Sequence, residues 1–292
     1  MDPLTLLFLF FVLVSLQPAL QRQLLAAQRR RALSRLSSLR GATVITLIHR
    51  QETFSLLGLP LVRRIDIDDA ESVLQAIRET PAGRPIEIVL HTPGGLVLAA
   101  SQIALALADH DGPVTAVVPH YAMSGGTMIA LAADEIVLDR HAALGPVDPQ
   151  LGQYPAASIL AALERPGHHS DETLILGDVS RKAIRQVRTL VVHLLERRMS
   201  PERAKEVAEL MATGVWTHDH PLIATDLELL GLPIRIGVGE EERALLGLYP
   251  QPRGRESGVE YSPEPRVPPG LPPGRERPRR KPEPAGSGRE RS

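Results

Sequence analysis

The chain of 292 residues contains no cysteine, which removes disulfides, thiolate nucleophiles and cysteine-based zinc sites together. Aromatic residues are nearly as scarce, with four Phe, four Tyr and one Trp. Three of the Phe (Phe8, Phe10 and Phe11) fall in the first eleven positions. The folded part must therefore be packed with Leu, Ile, Val and Ala, a composition that suits parallel strands buried on both faces. Lysine is rare as well: among 33 Lys plus Arg, only Lys182, Lys205 and Lys281 are lysines. No dinucleotide fingerprint is present, and His168-His169 has no partner at ligand spacing, so neither a cofactor nor a metal is expected. Net charge is −1, and no nucleic-acid partner is expected. What remains is 43% hydrophobic content, ample for a core in one large domain or two small ones.

The charges are segregated along the chain. Pro3 to Gln21 carries none, and at about 1.5 Å rise per residue this segment nearly matches a hydrocarbon core of roughly 30 Å. Arg22, Arg29, Arg30, Arg31, Arg35 and Arg40 follow it, and the positive-inside tendency puts that side in the cytoplasm. Residues 1–21 thus read as a transmembrane anchor, with the folded domain on the cytoplasmic side. A cleaved signal peptide is the rival, with Leu4 to Leu16 as its apolar core and Gln17-Pro18-Ala19 as a cleavage region, but a basic n-region is missing. Residues 22–40 read as a basic juxtamembrane helix, either a solvated stalk or one drawn to anionic lipid. Residues 249–292 read as a disordered Pro/Arg/Gly-rich tail.

Between these ends, residues 41–248 alternate strand and helix patterns. Gly41 to Ile48 is a β-branched run, Arg64 to Ile67 a short second strand, and a helix capped by Asp68 or Asp69 runs to Arg78. Ile86 to Leu90, Val114 to Val118 and Glu135 to Leu138 are strands, with helices over Leu96 to Ala108 and Thr127 to Ala133. Strand, turn and helix repeating with short links is the βαβ signature of a parallel sheet. Residues 150–177 look polar and irregular. A helix is expected from about Arg181 to Arg198, and another capped by Ser200 with Pro201 at its first position.

Two turns in this alternation carry chemistry. Thr92-Pro93-Gly94-Gly95 and Tyr121-Ala122-Met123-Ser124-Gly125-Gly126 each follow a strand and precede a helix, so they face each other across one sheet. The second presents Ser124 at a helix N-terminus, with its neighbours stripped of side chains and the N–H of Gly125 directed at the same spot. The first can offer bare N–H groups where a carbonyl oxygen would collect negative charge. By itself a serine at a helix start is a cap, and Pro-Gly-Gly an ordinary turn; their coupling outlines an acyl-transfer site.

The run from His91-Thr92-Pro93-Gly94-Gly95 through Ala122-Met123-Ser124-Gly125-Gly126-Thr127-Met128 to Asp134-Glu135-Ile136-Val137 and Leu144-Gly145-Pro146-Val147-Asp148-Pro149-Gln150 resembles the serine dehydrogenase proteinase family. That family belongs to the Clp protease/crotonase superfamily with signal peptide peptidase A and the stomatin-operon membrane proteases. The likeness covers roughly residues 41 to 240 and includes Trp216-Thr217-His218-Asp219. It implies an α/β fold of the Clp/crotonase type, with a repeated ββα (βαβ) spiral core. It also implies Ser124 as nucleophile, Gly125 as one oxyanion donor and the Gly94-Gly95 turn as the other. Leu96-Val97 would pair with an extended peptide. The same likeness implies a homo-oligomer and, through the stomatin-operon relatives, a stomatin-like membrane partner.

The general base is left open. The Clp subunit has a histidine near the turn that here reads Gly145-Pro146-Val147-Asp148, where none stands, and neighbouring His141 reads as a surface residue. Relatives with a Ser/Lys dyad point to Lys182, which the expected helix puts in a first turn, where dipole and burial would favour the neutral amine. His218 is the reserve, with Asp219 as its orienting neighbour, and Asp148 could orient a base or cap a turn. The expected activity is a membrane-anchored serine endopeptidase acting on peptides or unfolded proteins, preferably with the lysine base. Two alternatives stand beside it: a crotonase-type acyl-CoA enzyme, which needs carboxylates and no nucleophile, and a non-catalytic membrane-associated scaffold.

Overall fold

Apolar runs bounded by Gly and Pro alternate with Ala- and Leu-rich runs, and the backbone follows that alternation. A computed structural model of the chain describes residues 3–49, 54–56, 59–61 and 63–249; at 4–16, 18, 19, 22, 54–56 and 59–61 it describes the backbone alone. Helix α1 (Pro3–Arg40) leads into β1 (Thr43–Ile48), the hairpin strands β2 (Phe54–Leu56) and β3 (Leu59–Leu61), and α2 (Ile67–Glu79). Next come β4 (Ile86–His91), α3 (Val97–Ala108), β5 (Val114–Val118), the short β6 (Tyr121–Ala122), α4 (Gly125–Leu131), β7 (Glu135–Leu138) and β8 (Ala143–Leu144). The rest is β9 (Gln150–Leu151), β10 (Tyr154–Pro155), α5 (Ala156–Leu163), α6 (Asp171–Leu195), α7 (Pro201–Ala212), α8 (Ala224–Leu229), β11 (Ile234–Ile236) and α9 (Glu240–Gly247).

The five-stranded sheet has the order β1-β4-β5-β7-β11, and every neighbouring pair is parallel. Central β4 is buried at all six positions, which requires an unbroken apolar run rather than alternation. Its Ile86, Ile88 and Leu90 join the main core with Ile103 and Leu107 of α3 and Val191 of α6. Val89, Val117 and Val137 face the other way and are covered by Val238. Because β4 and β5 are adjacent and parallel, the loops leaving their C-terminal ends lie side by side, the usual place for a site in an open α/β sheet.

Three local expectations change. Residues Arg64 to Ile67 form no strand: Ile65 makes an isolated bridge to Gly95, and Asp66 caps α2 in a reciprocal box with Asp69. Residues 150–177 are not irregular. They hold the β9–β10 hairpin, α5 and the start of α6, whose cap Ser170 accepts from the Thr173 N–H ahead of Asp171 and Glu172. A Cβ on Gly177 would sit 2.1 Å from Leu163 Cδ1, so Leu163 of α5 occupies the space that a side chain there would need. Lys182 consequently falls in the middle of α6 and not in its first turn.

The basic segment 22–40 is the end of α1, and it is not a free stalk. Leu36 is buried. Arg29 donates to the Leu248 carbonyl at 2.8 Å and lies over the Tyr249 ring at 4.2 Å. Arg40 pairs with Glu242 and, at 3.5 Å, with Glu87. Among the described residues no helix is long and apolar enough to cross a membrane. The apolar core of the expected anchor, Leu4 to Leu16, lies where the side chains are outside the described residues, as does the tail from Pro250 onward.

Candidate active site

The two glycine turns meet. A parallel bridge joins Thr92 to Ala122, and the Met123 N–H donates to the Thr92 carbonyl at 3.0 Å. Gly94 has φ +96°, and a Cβ there would lie 2.8 Å from both the Met123 carbonyl oxygen and Ser124 Cβ. A Cβ on Gly125 would lie 3.5 Å from the Gly95 nitrogen. Only a chain without side chains lets the backbones approach this far.

Ser124 has φ 51° and ψ −116°, the one positive φ outside glycine among the described residues. Backbone in such a sparsely populated region costs roughly 1–3 kcal/mol and persists only where the surroundings impose it. Here they do: the Gly126 N–H donates to Met123 O at 2.8 Å, and the Met128 N–H donates to Ser124 O at 3.0 Å as α4 begins. The serine makes no side-chain cap to its helix. It is half-buried, and it lines a cavity of about 330 Å³ together with Gly95, Gly125, Asp148 and His218.

The N–H groups divide between structure and cavity. That of Gly94 donates to Thr92 Oγ1 at 3.2 Å. Those of Gly95 and Gly125 donate to no protein acceptor among the described residues. Two uncommitted donors lining the same cavity as a serine hydroxyl are the groups that can hold an oxyanion.

In the lining of the same cavity, His218 and Asp148 share a hydrogen bond of 2.8 Å between Nδ1 and Oδ1. Asp148 is buried, held between Pro146-Val147 and Pro149, and its second oxygen accepts from Gln150 Nε2 at 2.7 Å. A carboxylate only accepts, so Nδ1 of His218 carries the proton and Nε2 is left to take one. The orienting partner is thus Asp148, not the exposed neighbour Asp219. Lys182 is exposed on α6, paired with Asp178 one turn away, and is not among the residues lining the cavity. His141 is exposed too. Among the described residues no cluster of three or more His, Cys, Asp or Glu could hold a metal ion.

The chain matches the family described as ClpP-like SDH-type serine proteinase over residues 1–270. It belongs to that family. Two uncharacterized proteins of Methanocaldococcus jannaschii are similar to it along nearly their whole lengths. One is 49% identical over 259 residues, 88% of this chain and 89% of its own. The other is 47% identical over 273 residues, 91% of this chain and 96% of its own. Among solved structures, ClpP1 from Listeria monocytogenes aligns with 67% of this chain and 92% of its own at 14% identity and a TM-score of 0.42.

What sequence reasoning missed in this member of the ClpP-like SDH-type family is the pairing of Asp148 with His218 and the hydrogen bond from Gln150 to the same carboxylate. The rigid Pro146-Val147-Asp148-Pro149 turn carried a signal of fixed geometry. Its partner lies seventy positions away, and no local pattern connects the two.

Proposed function

We propose that this chain is a serine peptidase that uses Ser124 as nucleophile, His218 as general base and Asp148 as the group that orients the base. The reading is carried by the Asp148–His218 hydrogen bond at the wall of the same cavity that holds the strained serine. Ser124 Oγ attacks the scissile carbonyl carbon as Nε2 of His218 takes its proton. The resulting oxyanion is held by the N–H groups of Gly95 and Gly125. Collapse expels the amine, which receives the proton from His218, and leaves an acyl-enzyme; water, deprotonated by the same imidazole, then releases the acid and restores the serine. Peptide or unfolded protein is the substrate, lying against the exposed side chains of Leu96 and Val97 on the cavity wall; the backbone there does not accept the added strand expected from the sequence, because Leu96 N–H and carbonyl are bonded to the Ile65 carbonyl and the Ala100 N–H and Val97 opens α3.

The same reading includes a single-pass anchor in residues 1–21 with the peptidase on the cytoplasmic side. It is supported by the uncharged Pro3–Gln21 run and the arginines after it. It also includes a homo-oligomer and a membrane partner of the stomatin type, both of which rest on family resemblance.

The deciding experiment compares Ser124→Ala, His218→Ala and Lys182→Ala for casein hydrolysis and fluorophosphonate labelling. Ser124→Ala should lose both, and His218→Ala should lose about 10⁴-fold or more in kcat. Lys182→Ala should stay close to the parent. Loss in Lys182→Ala with retention in His218→Ala would return the base to the lysine. An unlabelled parent enzyme would end the peptidase reading and favour the scaffold.

A further inference from the structure

Next to the Pro93-Gly94-Gly95 turn, and not among the residues that line the cavity, three buried or half-buried side chains are strung together. Thr92 is fully buried at the end of β4, and its Oγ1 accepts the Gly94 N–H at 3.2 Å. The same oxygen is 3.0 Å from Nδ1 of His49, itself buried at the end of β1. Nε2 of His49 is 3.1 Å from Oδ2 of Asp69 in the first turn of α2. The proton positions follow from the roles of each atom. In the neutral imidazole, the proton that Asp69 accepts sits on Nε2; Nδ1 is then an acceptor, and the hydroxyl of Thr92 donates to it. That leaves a lone pair on Oγ1 for the Gly94 N–H. Burial pushes the Asp69 carboxyl up, but the hydrogen bonds from His49 and from the Asp66 backbone hold it below the usual carboxylate range, in keeping with a charged chain end.

We propose that Asp69, His49 and Thr92 act as a positioning relay that binds the Gly94 N–H on the core side of the turn, so that Gly95 alone of that pair presents its N–H to the substrate oxygen. The inference rests on the peptidase reading above. It assigns no contact with substrate to the three residues. They act through the Pro93–Gly94 peptide plane, the neighbour of the plane that carries the Gly95 N–H, and a buried chain in which each bond polarises the next holds it more firmly than a lone threonine would. Three elements converge on the turn by this route: β1 through His49, α2 through Asp69 and β4 through Thr92. A second tie, from Ile65 N–H to the Gly94 carbonyl at 2.9 Å, fixes the other side of the same residue.

The test uses the full-length protein and a tetrahedral probe, a peptide aldehyde whose hemiacetal oxygen occupies the oxyanion position. Thr92→Val keeps the side-chain shape and removes the relay. It should lower kcat at least about 10-fold with KM changed by less than about 2-fold, and weaken aldehyde binding by the same factor as kcat. Thr92→Ser restores the hydroxyl and should recover most of both, while Asp69→Asn should fall between. Thr92→Val with parental kcat and aldehyde affinity overturns the relay but leaves the peptidase intact; a parent that neither labels nor cleaves overturns both. Should Thr92→Val fail to fold, the imidazole ¹⁵N spectrum of the parent decides. His49 as the Nε2–H tautomer, altered in Asp69→Asn, supports the relay, and His49 as the Nδ1–H tautomer overturns it.

Discussion

Ser124 is held in a backbone conformation that its side chain disfavours, and the hydrogen bonds of Met123, Gly126 and Met128 impose it. Ser124→Gly should therefore be more stable than Ser124→Ala by about 1 kcal/mol, with activity expected in neither. Thermal midpoints of the two variants, expected to differ by about 2–4 °C for a domain of this size, check it. Gly94 is constrained differently, by φ +96° and by the 2.8 Å approach of Met123 O and Ser124 Cβ. Gly94→Ala should push the two turns apart and slow fluorophosphonate labelling about 100-fold or more, because an oxyanion donor displaced by even a fraction of an ångström is lost. Labelling rates with a melting curve on the same sample separate this from global unfolding.

At the scale of elements, the clearest departure from local reasoning is α6. Read from its apolar spacing, it starts near Arg181 and turns Lys182 into a first-turn amine; in the fold it starts at Asp171, since Ser170, Asp171 and Glu172 supply a cap and favourable charge. The other departure is the clasp between α1, β4 and α9. Glu242 is buried, Arg40 pairs with it, and Glu87 stands beside them on the sheet. Burial and the Glu242 charge raise the Glu87 carboxyl above its usual range, against the opposing pull of Arg40 and Arg235. A carboxyl raised in the folded state binds more protons there than in the unfolded chain, so its contribution to stability is fully present at low pH and declines as pH rises toward the folded value. Glu87→Gln cannot ionise and should escape that decline. Urea unfolding from pH 4 to 8 should show the variant gaining on the parent as pH rises, and a constant difference would contradict the assignment.

For the whole molecule, the sheet order brings two loops together at the C-terminal ends of adjacent inner strands, while α1 packs against α9 and β1. Anchoring and assembly are tested at this scale. Removing residues 1–21 should shift the protein from the membrane to the soluble fraction while leaving the residues that line the Ser124 cavity untouched. Fractionation of cells expressing both forms, followed by labelling of each fraction, checks the two outcomes together. Mass photometry of the truncated form should report more than one copy per particle.

Much of this protein was written locally. Composition without cysteine and with few aromatics pointed to a parallel sheet, glycine pairs after apolar runs marked the two turns, and Ser124 stood at a helix start; these depend on neighbours in the chain, so periodicity and turn chemistry expose them. The partner of His218, the helix position of Lys182 and the division of labour between Gly94 and Gly95 depend on residues far apart in sequence. Only the packed chain brings Asp148 within 2.8 Å of a histidine seventy positions later, or hangs Gly94 on a threonine, a histidine and an aspartate from three different elements. Hydrogen bonds of this kind have no period and no motif, so they exist for the reader of the chain only once the sheet has been assembled.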